Sequence, residues 1–204
     1  RYLKGRPRAV TRFRYQGPVS EITVWTDTDY AGCRDTRKST SGGVIMLGNH
    51  VVKTWSTTQA VIALSSGEAE YYGIVKGAAQ GLALKSMFHE FGITLGIRVK
   101  TDAAAAKGIA TRRGLGKVRH LEVSQLWLQD QVMRRKLEIK KVDGKENRAD
   151  GLTKHVAREQ LDLHSGWMGI MFKEGRHALM PMDATHYTHA HVEEEVDEEQ
   201  DHDV

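Results

Sequence analysis

The sequence predicts an α/β fold, a mixed sheet with helices on its faces, and three observations carry that expectation. Runs of β-branched and aromatic residues alternate with stretches of helical period through the middle of the chain. The first three such runs are joined by short links with no helix between them, which makes an antiparallel meander. The two later runs each follow a helical stretch, an order of elements that argues for a mixed sheet with helices on its faces.

Taken in order, residues 1–19 are basic and turn-rich, with six basic residues and no acid up to Arg14, and they read as a connector without a core. Ile22, Val24 and Thr26-Asp27 mark a first strand that ends in a carboxylate, before a loop rich in Gly, Ser and Thr. Residues 43–47 (GVIML) and 51–56 (VVKTWS) follow as two strands joined by a tight turn at Gly48-Asn49-His50. Ser65 with Glu68 three residues on is a helix-start signal, and the helix should run about seven turns to Phe91, with Gly92 as its stop.

Within that helix Ser66, Glu70, Gly73, Gly77 and Gly81 share one side. Each glycine there costs up to ~1 kcal/mol relative to alanine. The stripe therefore implies that the helix backbone lies very close to the sheet and that Glu70 faces the strand ends. Residues 97–101 (IRVKT) form a fourth strand, again ending in an acid, Asp102, before an alanine-rich helix over 103–110. A basic, glycine-rich loop (112–119) leads to a second long helix over 120–135, with Leu121, Leu128 and Val132 as core contacts. Residues 137–142 (LEIKKV) are a fifth strand, and a last helix starts near Glu146 with Asp150 in its first turn.

The 204 residues, 40% hydrophobic, suit one domain of ordinary size with flanking segments. No stretch approaches the ~18 to 20 uninterrupted apolar residues that span a bilayer, and the first residues lack the apolar region of a secretory signal. The chain reads as soluble and intracellular. A single cysteine, Cys33, excludes an intramolecular disulfide and a thiolate zinc finger, and it reads as a small filler. The net charge of +4 hides an uneven distribution: basic groups recur at Arg34, Arg37 and Lys38, at Arg112, Arg113, Lys117 and Arg119, and at Arg134, Arg135 and Lys136, whereas eight carboxylates crowd residues 193–203. Repeated basic clusters suit a surface that tracks phosphates; solvated helix and loop faces are the alternative.

Asp27, Glu70, Asp102 and Asp150 then share an address, because functional groups converge at the carboxyl ends of central strands, provided that the first and fourth strands are neighbours. Carboxylates packed together call for a cation, and an all-oxygen set suits magnesium or manganese. Two such ions ~4 Å apart would support an in-line phosphodiester cleavage. The alternative is that each acid is a loop residue, a cap or a surface charge.

The stretches RYLKG, TDTDYAGCRDTRKSTSGG, ALSSGEAEYYG, TDAAAAKGIA, RHLEV and ENRADGLTK, in this order and spacing over about three quarters of the chain, resemble the blocks of the Ty1/copia-type ribonuclease H domain at the end of the Pol polyprotein. The resemblance implies a ribonuclease H-like fold with a five-stranded mixed sheet over residues 20–157. Residues 1–19 become a basic connector from a preceding reverse transcriptase, and residues 158–204 a poorly ordered, His-containing and acidic tail. It implies a metal-dependent endonuclease that hydrolyses the RNA strand of RNA–DNA hybrids during reverse transcription, in cytoplasmic virus-like particles, with Mg2+ or Mn2+ held by the catalytic quartet Asp27, Glu70, Asp102 and Asp150. Its partners would be the hybrid and the reverse transcriptase domain of the same polyprotein, with no membrane.

Asp29 competes with Asp27, since both fall on one face of an extended segment, and Glu68 competes with Glu70, although it fits the cap. Where the family usually has a polar residue after the third acid, this chain has Ala103. The histidine that cellular and retroviral enzymes often carry before the last aspartate is missing from residues 143–149, as it is in the copia type. His120 belongs to the RHLEV block and reads as a packing residue or a helix-start contact.

Substrate contacts are expected from Arg37, Lys38, Ser39, Thr40 and Ser41, then from Arg112, Arg113, Lys117 and Arg119, through phosphates and ribose hydroxyls. Trp55 reads as core. His164, His177, His186, His189 and His191 are too irregularly spaced for a zinc site. A catalytically inactive remnant that binds nucleic acid or supports the polymerase is the competing function; four intact acids favour activity. An integrase-type transferase would share the fold but not the AEY and ADGLTK blocks.

Overall fold

The structure, a computed structural model, describes residues 6, 8–114, 116, 121, 123–175, 177 and 179. Its strands are β1 (Arg8–Thr11), β2 (Glu21–Asp29), β3 (Thr40–Leu47), β4 (His50–Thr58), β5 (Gly96–Thr101), β6 (Glu138–Lys141) and β7 (Ile170–Lys173). Its helices are α1 (Ser66–Glu90), α2 (Ala104–Thr111), α3 (Trp127–Met133) and α4 (Arg158–Trp167). β1 and β7 make a two-stranded sheet, and the other five form one sheet in the order β4-β3-β2-β5-β6. β2, β3 and β4 pair antiparallel, while β5 joins β2 and β6 joins β5 in parallel. This is the α/β fold with a five-stranded mixed sheet that the sequence predicts. The sheet, its helices and the four acids all belong to one compact unit, residues 11–171.

Alternation along β2 gives the sheet two different faces. Ile22 and Val24 turn toward α1 and join the main core with Ile45, Ile74, Val99 and Ile139. Trp25 faces the other way, with Val44, Met46 and Ala149. α1 begins as expected: the Ser65 hydroxyl accepts from the Glu68 amide at 3.2 Å, while the buried Glu68 carboxylate accepts from the Leu64 amide and the Tyr72 hydroxyl. It ends at Gly92, whose φ of +76° suits a residue without a Cβ.

The glycine stripe explains where the helix lies. A Cβ on Gly73 would come 2.4 Å from Thr28 Oγ1, on Gly77 2.5 Å from Thr26 Cγ2, and on Gly81 3.0 Å from Val24 Cγ2. The spacings match, since eight helical residues rise ~12 Å and four strand residues ~13 Å. α1 thus runs antiparallel along β2, one glycine over each inward residue. Trp55 packs against the core, over Gly43.

Three stretches differ from the sequence expectation. The long helix over 120–135 is reduced to a 3-10 turn (Val123–Leu126) and α3, although Leu121 and Leu128 are buried as expected; Lys117, Arg119 and His120 lie outside the described residues. The last helix does not start at Glu146. Two 3-10 turns (Gly144–Glu146 and Asp150–Leu152) flank an extended Asn147, so Asp150 sits on a single tight turn. Finally, part of the segment expected to be poorly ordered forms α4 and β7, because Leu161, His164, Ser165 and Met168 supply a buried or half-buried face; His164 is 3% exposed and stacks on Trp167.

Candidate active site

β2 and β5 are parallel neighbours, so the acids at their carboxyl ends meet. Asp27 lies near the end of β2, Asp102 directly follows β5, and the glycine stripe brings Glu70, on the second turn of α1, down onto them. Asp27, Glu70 and Asp102 each offer a carboxylate oxygen, all within 4.8 Å of one another. Asp150 stands beside this trio and not within it: its carboxylate is ion-paired with Lys154, and its charge acts on Asp27. The turn that carries it closes against Gly42, the residue paired with Asp27, where a Cβ would come 2.7 Å from Thr153 Cγ2.

The electrostatics are those of crowded acids. Burial raises the Asp27 carboxyl above its ordinary range and Asp150 and Asp102 add to this, against a hydrogen bond from the Thr153 hydroxyl and the charge of Lys154. Glu70 is pushed up to about 8, first by burial and then by Asp27 and Asp102. Its Oε2 is buried without a hydrogen-bond partner. Burial works against a charged Lys154, but Asp150, Asp27 and Asp102 outweigh it and hold the ammonium above the usual lysine range. Converging oxygens, one of them orphaned, with no imidazole or thiolate among them, fit a hard divalent cation such as Mg2+ or Mn2+ better than zinc.

The competing acids are engaged elsewhere. Asp29 accepts from the Thr40 amide and anchors the loop over residues 30–39, and Glu68 is occupied at the helix start. In that loop Arg37 is exposed and Lys38 and Thr40 are half-buried, but Ser39 and Ser41 turn inward. Ser39 Oγ accepts from the Ala31 amide at 2.9 Å and Ser41 Oγ from Gln59 Nε2 at 2.8 Å, so both hydroxyls hold the loop and strand rather than face solvent. Arg113 is exposed and Arg112 half-buried at the end of α2.

The sequence reading missed three residues of the last block. Asn147 is fully buried and donates from Nδ2 to the Thr26 carbonyl at 3.0 Å and toward Asp102 Oδ1 at 3.4 Å, which ties the final loop to β2 and β5. Thr153 and Lys154 contact Asp27 and Asp150. The signal was there, since all three lie within ENRADGLTK, but nothing in the spacing separates the polar residues that turn inward from those in solvent.

No family model matches the chain. It is 28% identical over 83% of its length to the retrovirus-related Pol polyprotein from transposon TNT 1-94 of Nicotiana tabacum and 26% identical over 83% to that from transposon RE1 of Arabidopsis thaliana. The chain spans 13% and 12% of the length of these curated relatives. Among solved structures it is similar to the N-terminal RNase H domain of a Mycobacterium tuberculosis protein, at 18% identity and a TM-score of 0.48, covering 72% of this chain and 97% of that one. It is also similar to LC11-RNase H1 in complex with RNA/DNA hybrid, at 19% identity and a TM-score of 0.42, covering 65% and 94%.

Proposed function

For a chain that aligns along most of its length with Pol polyproteins of copia-like transposons and that has a ribonuclease H-like fold, we propose a metal-dependent endonuclease that hydrolyses the RNA strand of RNA–DNA hybrids during reverse transcription. The observation that carries this is the convergence of Asp27, Glu70 and Asp102 within 4.8 Å, with Asp150 alongside. A divalent cation held there, Mg2+ or Mn2+, would supply the charge that activates a water and neutralises the leaving oxygen.

The chain's own residues do the rest. Asp27, Glu70, Asp102 and Asp150 are the proposed ligands, and Glu70 Oε2 has no other partner to lose on binding. Thr153 fixes the Asp27 carboxylate, Asn147 holds the loop that brings Asp150, and Lys154 moderates the negative charge of the site before substrate arrives. Arg37, Lys38, Thr40, Arg112 and Arg113, with Lys117 and Arg119 of the adjoining loop, are the proposed contacts to phosphate and ribose hydroxyls. In the whole polyprotein the reverse transcriptase would deliver the hybrid, within a cytoplasmic particle. Among the described residues no helix is long and apolar enough to cross a membrane.

Cleavage of an end-labelled RNA–DNA hybrid tests this, using the chain and its Asp27→Asn variant with magnesium, manganese or excess chelator. Metal-dependent cutting of the RNA strand that is lost in the variant is the expected result. A folded wild-type chain that binds the hybrid and never cuts it, even with the polymerase domain added, would move the assignment to an inactive binding module.

A further inference from the structure

On the sheet face away from α1, Trp25, Lys100 and Lys140 stand on one rung across β2, β5 and β6. The Lys100 ammonium lies 4.2 Å from the centre of the Trp25 ring and the Arg148 guanidinium 5.1 Å from it. Two cations thus lie over one buried indole, and Lys140, one strand further on, lines the same hollow. Among the described residues none of the three is in an ion pair. The neighbouring rung is different: Arg98 is paired with Glu21 at 2.8 Å and with Glu138 at 3.1 Å. Asp143 and Glu146 line the same hollow of about 490 Å³ beside Trp25, but neither reaches ion-pair distance, and Asp143 accepts from the Lys145 amide.

Like charges directly across neighbouring strands destabilise a sheet. Lys100 and Lys140 are such a pair, and Arg148, half-buried against Met46 and the Trp167 carbonyl, adds a third charge. An anion seated on the rung would relieve all three. Its position suggests which anion. Lys100 precedes Asp102 by two residues, ~7 Å of extended chain, so an anion on the rung lies within reach of a nucleic-acid backbone that passes the carboxylates.

We propose that Lys100, Lys140 and Arg148 form a phosphate-docking patch that holds the nucleic-acid backbone on one flank of the carboxylate cluster. Trp25, at 6% exposure, fixes the cations and is too buried to stack on a base, so the patch grips without reading sequence. This rests on the nuclease reading for the identity of the strand, but not for the chemistry of the patch.

The test is binding of a fluorescent RNA–DNA hybrid to the full chain in chelator, from 50 to 200 mM salt, for wild type, Lys100→Gln/Lys140→Gln and Lys100→Arg/Lys140→Arg. Two lost phosphate contacts should lower the slope of log affinity against log salt by about 1.8, and weaken binding roughly tenfold or more near 100 mM salt. The arginine variant should keep the wild-type slope. Thermal stability of the glutamine variant should be unchanged or higher, because a repelling pair is removed. Should the double variant unfold, Lys140→Gln alone, at an exposed position, should lower the slope by about 0.9. A wild-type slope in either glutamine variant overturns the patch, as does unchanged hybrid binding with a selective loss of binding to polyglutamate, which would point to an acidic protein partner. A wild-type chain that binds the hybrid with the expected slope but never cleaves it sinks the nuclease assignment and leaves the patch standing.

Discussion

Adding one methyl group to either of two helical glycines should move stability in opposite directions. At Gly77 a Cβ would sit 2.5 Å from Thr26 Cγ2 and 3.2 Å from Val24 Cγ1, whereas at Gly108, on the exposed side of α2, nothing lies within 4 Å. Alanine gains ~1 kcal/mol of helix propensity over glycine at both positions. At Gly77 this is opposed by overpacking, which costs about 1–3 kcal/mol. The upper end applies because Thr26 is β-branched and fully buried, and so has no free rotamer to retreat into. The balance is ~2 kcal/mol destabilising for Gly77→Ala and ~1 kcal/mol stabilising for Gly108→Ala. At roughly 2–4 °C per kcal/mol for a chain of this size, Tm falls by ~4–8 °C in the first and rises by ~2–4 °C in the second. Urea denaturation followed by far-UV circular dichroism measures both. Thr26→Ser, which deletes the clashing methyl, should recover about 1 kcal/mol in the Gly77→Ala background but none in the wild type. Because Gly77 is two turns from Glu70, the displaced helix should also lower hybrid cleavage. If Gly77→Ala were as stable as wild type, the close approach of α1 to β2 would be wrong, and with it the account of how Glu70 reaches the other acids.

Two further outcomes follow from the site. Glu70 sits near 8 in the folded chain against an ordinary 4.5, so the native state holds the extra proton between those values; with metal absent, stability should fall as pH rises from about 4.5 to 8, and Glu70→Gln should flatten that fall in a series of thermal melts while abolishing cleavage. A wild-type melt that does not respond to pH across this window would contradict the burial of Glu70. Asn147→Ala should cost about 1–3 kcal/mol, since it strips the Thr26 carbonyl of a buried donor, and Asn147→Asp should lower cleavage further than alanine does by setting a fifth carboxylate toward Asp102; cleavage by the aspartate variant equal to wild type would remove Asn147 from the site.

Local signals carried most of the fold. The strand runs ending in Asp27 and Asp102, the serine cap at Ser65 and the glycine stop at Gly92 each specify their own element, and the structure has them where the sequence places them. The glycine stripe did more, because its cost in helix propensity made sense only if α1 touches β2, so a long-range contact was legible from one helix. It also made Glu70 distinguishable from Glu68 before any geometry was known. Where a residue's role depends on what packs over it, the sequence was silent. Ser39 and Ser41 read as contacts to the nucleic acid, yet the Ala31 amide and the Gln59 side chain draw them inward. α4 was obscured by its setting, a histidine-bearing stretch beyond the last family block, although Leu161, Trp167 and Met168 offered apolar positions at helical spacing.

The end of the site shows why the limit falls there. The sequence reading starts a last helix near Glu146 with Asp150 in its first turn, whereas the chain stays extended at Asn147, with φ −71° and ψ 107°. The Asn147 side chain bonds to a strand 121 residues earlier, and the extended backbone lets the Asp150 turn close on Gly42. A local helix would have satisfied the backbone of this segment alone. The observed loop gives up that regularity and gains a buried hydrogen bond to β2, a threonine hydroxyl on Asp27 and a lysine on Asp150. The last acid is therefore positioned by tertiary contacts and not by its own segment's propensity, which is why its residue type could be read from the motif while its geometry could not.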